Sequence, residues 1–145
     1  MGITDVHGTY AANMTVGYAG MIADSAGPKD VASRTIENAV VAFGLAVGRG
    51  TADSSARLGG SGFEGITVAD KSQVADEYPI GAVAGVVRKG TVWVTVNANV
   101  TPASVVRFVA STGVITPTES GGTVIAGAKF ETTTTSGNLA RVYLG

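Results

Sequence analysis

Few residues of this 145-residue chain have types and spacing that could do chemistry. Gly60-Ser61-Gly62-Phe63-Glu64-Gly65 matches G-x-G-x-x-G, in which glycines let backbone amides approach a pyrophosphate at the start of a helix. A β-like run at 65–69 follows it instead of a helix, so the stretch reads as a turn or loop. Ser61 fails as a nucleophile on an elbow, because Phe63 stands where G-x-S-x-G needs its last glycine. His7 is the only histidine available to a Ser-His-Asp triad, and no sequence pattern around it would hold an imidazole in place. Asp76 and Glu77 are adjacent, and neighbours on a strand point to opposite faces, so they read as solvated loop charges. Asn13-Met14-Thr15 and Asn99-Val100-Thr101 fit the N-glycosylation pattern, but no secretory signal accompanies them. With no cysteine, iron–sulfur, thiolate-zinc and disulfide chemistry are excluded. The expectation is no catalytic residue, no metal, no cofactor and no enzyme.

Composition narrows the partners. Ten Lys and Arg against eleven Asp and Glu leave a net charge of -1 with 14% of residues charged, which lacks the basic stripe that phosphates require. No nucleic-acid partner is expected. The first 28 residues contain no Lys or Arg, and the longest apolar stretches, 39–47 and 80–87, fall far short of the ~18 residues of a membrane span. Neither a signal peptide nor a membrane partner is expected. Met1-Gly2 resembles a myristoylation site until Val6, where Ser or Thr is needed.

The elements that would position any site are strands. Val occurs 21 times, Thr 17 times and Leu four times, which is strand chemistry. Residues 1–34 are rich in Gly, Ala, Thr and Asn with scattered large apolar side chains and no period, so they read as an extended arm. Residues 35–145 read as one β domain of barrel or jelly-roll type. Runs at 83–87 and 91–96, joined by Arg88-Lys89-Gly90, predict a hairpin. In its second strand Val92, Val94 and Val96 take the core face and Trp93 the opposite one. Further strands are expected at 40–47, 65–69, 105–110, 124–130 and 139–144, the last entered through Ser136-Gly137-Asn138. Helix is confined to short candidates at 30–38, with Asp30 and Arg34 spaced i, i+4, and at 72–77.

Seven segments occur in an order that resembles a known family. GYAGMIADS at 17–25, Ser33-Arg34-Thr35, FGLAVGRGT at 43–51 and FEGITVAD at 63–70 are followed by VVRKGTVWVTV at 86–96 and by GAKFET and LARVYL near the end. Together they resemble the structural cement, or head-decoration, proteins of tailed bacteriophages. The stretch 104–122 departs most from that pattern.

The resemblance implies a small β-barrel or jelly-roll-like virion protein. It would bind the outer surface of an expanded capsid, clamp neighbouring major capsid proteins, and itself form a homodimer or, second, a homotrimer; no catalytic residue is implied. Met14, Tyr18, Met21 and Ile22 in the arm, and Trp93 on the face away from the valines, are the candidate residues for a capsid or subunit interface. The alternatives are a tail-fibre or adhesion domain that binds carbohydrate, using Trp93 near Asn97 and Asn99, and a hydrolase, for which the residues offer almost nothing.

Overall fold

The computed structural model describes residues 18–23, 29–70, 72–73 and 75–145, so Met14 and His7 lie outside the described residues. Among the described residues there is no helix. In chain order the strands are β1 (Asp30–Ile36), β2 (Val41–Ala42), β3 (Ala46–Arg49), β4 (Ser55–Arg57), β5 (Ser61–Thr67), β6 (Glu77–Tyr78), β7 (Val83–Thr95), β8 (Arg107–Phe108), β9 (Ile115–Thr116), β10 (Thr123–Val124), β11 (Lys129–Phe130) and β12 (Leu139–Leu144).

Five of them close into a barrel. β1 lies parallel to β4, β4 pairs with β3, β3 with β5, β5 with β7, and β7 returns to β1. Closure leaves this ring without a free edge. β7, at 13 residues, is too long for the ring alone. Its first half faces β1 and β5, whereas its second half, from Gly90 to Thr95, pairs with β12, which β11 extends.

β7 therefore stands between two cores. Ile36, Val41, Phe43, Val47, Ala56, Tyr78, Ala84 and Val86 form one, while Val87, Val92, Val94 and Val96 join Phe108, Ile115, Phe130 and Val142 in the other. Consecutive Val86 and Val87 are both fully buried, which happens when a strand is covered on both faces. The valine face expected of residues 92–96 is the one observed, and Val92 and Val94 are completely buried.

The expected hairpin is corrected. Residues 83–87 and 91–95 belong to one strand that continues through Arg88-Lys89-Gly90. The pairing with β1 slips between Asp30 and Val31, and Gly90 takes a φ of 121°. Such an irregularity redirects a strand without ending it. Each half finds a better partner far away in the chain than it would find in the other half.

Other local expectations change for similar reasons. Residues 30–36 form β1 and not a helix: Asp30 and Arg34 do not bond each other but reach across strands, Asp30 to Arg88 at 2.8 Å and Arg34 to Glu64 at 2.6 Å. β1 thus begins within the stretch read as arm. Residues 40–47 are broken at Phe43-Gly44, where the Thr67 hydroxyl donates to the Ala42 carbonyl at 2.8 Å and fixes the turn. Residues 124–130 divide between two sheets, β10 against β8 and β11 against β12. In the glycine motif at 60–65, β5 starts at Ser61 where a loop was expected. A Cβ on Gly65 would come within 2.5 Å of Val86 and Val87 atoms, so this glycine lets two barrel walls approach and does not cradle a phosphate.

Candidate functional site

Four of the five residues read as an interface lie within the described chain, and the fold brings them together on one edge. Residues 20–23 run antiparallel to the second half of β7: Gly20 donates to the Trp93 carbonyl at 2.8 Å, Trp93 donates to Met21 at 2.9 Å, and Ala23 donates to Thr91 at 2.8 Å. Ile22 forms a bridge with Val92. The segment and β1 thus follow the same edge of β7.

The segment is seated by Gly20, which sequence reasoning did not single out. Its amide reaches β7 and its carbonyl accepts from Ala69 at 2.9 Å. The φ there is 85°, and a Cβ would lie 2.7 Å from the Ala69 nitrogen and 2.9 Å from the Phe43 Cβ. Only glycine combines that backbone with that closeness. The signal was present as a glycine between two apolar residues, but its meaning depends on a strand 70 positions later.

Tyr18, 42% exposed, stands at the rim of a cleft of about 420 Å³ lined also by Ala42, Phe43, Leu45, Asp76 and Thr95. Met21 and Ile22 are half-buried. Trp93 does not project from the molecule: it is 8% exposed, and the Arg141 guanidinium lies 5.9 Å above its ring. Arg141 sits there because β12 places it opposite Trp93, with Tyr143 opposite Thr91 and exposed beside it. No local pattern could foretell that register. Met14 lies outside the described residues.

Of the described chemical look-alikes, Asp76 lines the Tyr18 cleft, and Asn99 and Glu77 are used by the fold. Asn99, proposed above as a sugar-site neighbour of Trp93, accepts from the Ser136 amide at 2.9 Å and holds the turn before β12. Asp76 and Glu77 are both exposed, and Glu77 pairs through its backbone with Ala42. Among the described residues no three His, Cys, Asp or Glu side chains converge as metal ligands.

Two carboxylates are perturbed, both structurally. Glu37 accepts from the Thr51 amide at 2.8 Å, and this bond, then the Ser55 and Thr51 hydroxyls and the Arg57 charge, holds it below the usual carboxylate range. The Ser72 amide and hydroxyl do the same for Asp70. Burial pushes the Tyr78 phenol up, and its hydroxyl donates to the Val68 carbonyl.

Comparison with known proteins agrees with this architecture. The family model described as structural cement protein (E217 gp24/Pam3 gp6) matches residues 6–145. A chain in the capsid of Myoviridae phage XM1 superposes with a TM-score of 0.72 at 19% identity, covering 90% of this chain and 91% of that one. The N base of head fiber gp8.5 from bacteriophage phi29 superposes with a TM-score of 0.50 at 12% identity, covering 81% and 95%. No curated protein sequence matches significantly. The family match marks a structural protein of the virion, associated with the capsid and not an enzyme. The chain belongs to the phage structural cement protein family.

Proposed function

We propose that the protein binds the outer surface of an expanded phage capsid and clamps neighbouring major capsid proteins, acting as a homodimer or, second, as a homotrimer. The match to the structural cement family over residues 6–145 carries this reading. A closed barrel suits the task, because it presents fixed contacts and lacks free edges within its ring. The edge formed by Tyr18, Met21 and Ile22 is the proposed contact. Trp93 acts behind it by holding that segment through its backbone.

Apolar contact of this kind is weak per copy. Fully burying a large apolar side chain is worth ~1.5–3 kcal/mol before ordering costs. Many copies on one lattice convert such contacts into avidity. The test is cosedimentation with expanded heads that lack this protein, followed by thermal challenge. Saturable binding that raises the temperature of head disruption is expected; failure to bind, or binding without stabilisation, would overturn the clamp.

A further inference from the structure

One end of the barrel carries an apolar patch that nothing in the described chain covers. Val83 is 62% exposed, Ile80 61% and Val40 44%. The register that sets Val41 opposite Tyr78 brings Val40 beside Pro79, and Thr35 lies opposite Val83. Ile80 occupies the tip of a fixed turn: Ala82 donates to the Pro79 carbonyl at 3.1 Å and Gly81 to the Ile36 carbonyl at 2.8 Å. Gly81 has a φ of 90°, the left-handed position of a type II turn. A backbone fixed by two hydrogen bonds has less conformational freedom to lose when the turn docks.

The charges around the patch select its partner. Exposed Glu77 precedes the turn, with Asp76 before it on the Tyr18 cleft. Arg57 is already paired with Glu37 at 3.6 Å, and Arg49 donates to the Asp53 carbonyl. The described lysines on this wall, Lys29 and Lys89, lie at the opposite end of β1 and β7. A second copy docked on the same patch would set carboxylates against carboxylates. An apolar surface flanked by Lys or Arg would not.

We infer that Val40, Ile80 and Val83 form a docking surface for an apolar, basic-rimmed face of the capsid shell protein. The inference builds on the proposed capsid binding and adds a second grip, at the opposite end of β7 from the segment at Met21. It is tested with Ile80→Asp, Ile80→Ser and Val83→Asp in the full chain, beside Val124→Asp, which alters another exposed valine elsewhere. All four should keep the wild-type melting temperature. Affinity for heads lacking the protein should fall at least ~10-fold for the Ile80 and Val83 variants and stay unchanged for Val124→Asp. Glu77→Lys should weaken binding most at low salt. Wild-type affinity in the Ile80 and Val83 variants overturns the docking surface and leaves capsid binding standing. An oligomer that dissociates in Ile80→Asp with head affinity intact assigns the patch to self-contact and also overturns it. A wild-type protein that binds no heads overturns both readings.

Discussion

Val94 shows how much a single position decides. It is completely buried in the core shared by β7 and β12, where a carboxylate would find no cation. Val94→Asp should lower stability by about 4 kcal/mol or more in chemical denaturation. The sequence placed this residue correctly because alternation needs no knowledge of partners. The same alternation put Trp93 on the other face, yet it could not show that Arg141 lies over its ring, since that depends on register. The perturbed groups also set a pH profile. Glu37 and Asp70 are held below their ordinary values, so their contribution is complete above about pH 5 and is lost as pH falls through their lowered values. The melting temperature should decline on that acid limb, less steeply in Glu37→Gln. For Tyr78 the sign reverses: the neutral phenol is favoured, so its contribution persists below about pH 10 and is lost above the raised value. Ultraviolet titration should show one tyrosine ionising late, and Tyr78→Phe should remove it.

Among the elements, β7 determines the architecture. Strand identities were legible because β-branched runs and period-two faces are local properties. Connections were not, because β7 takes its partners from β1, β5, β12 and residues 20–23. Arg88-Lys89-Gly90 has the residue types of a turn, but Gly90 spends its positive φ inside a strand. The candidate interface residues were chosen by type, and the edge shared by Met21, Ile22 and Trp93 became visible only with that pairing. Gly20 offers the direct test. Gly20→Val forces a side chain into Ala69 and Phe43 at a backbone angle that L residues avoid, and should cost roughly 1–3 kcal/mol. Trp93 emission should shift to the red and proteases should cut nearer residue 18, with the barrel still folded. Wild-type emission would show that the segment does not seat Trp93.

For the whole molecule, 45% apolar content with 14% charge leaves much apolar surface exposed, including Val31, Val124 and Tyr143. Self-association is the expected outcome, and light scattering should return a dimer, with a trimer second; a strict monomer in solution and on heads would refute it. The truncation that separates arm from barrel must spare Tyr18 onward, because residues 20–23 are bonded to β7. Deleting residues 1–17 should leave the melting temperature near wild type and weaken head binding by at least ~10-fold, about 1.4 kcal/mol. That loss should persist in moderate salt, as befits an apolar contact. Unchanged affinity would show that the arm is dispensable.

The placement of β7 also dictates an order of assembly. Synthesis delivers residues 20–23 and β1 early, yet their partners on β7 are not made until positions 83–93. The barrel cannot close before more than half of the chain exists, and the second core must wait for β12 at the very end. Contacts so distant in sequence make folding slow and leave strand edges bare in the interval. The nascent protein is therefore exposed to aggregation until β12 has emerged from the ribosome, and residues 20–23 and β1 wait some sixty positions for the strand that locks them in place.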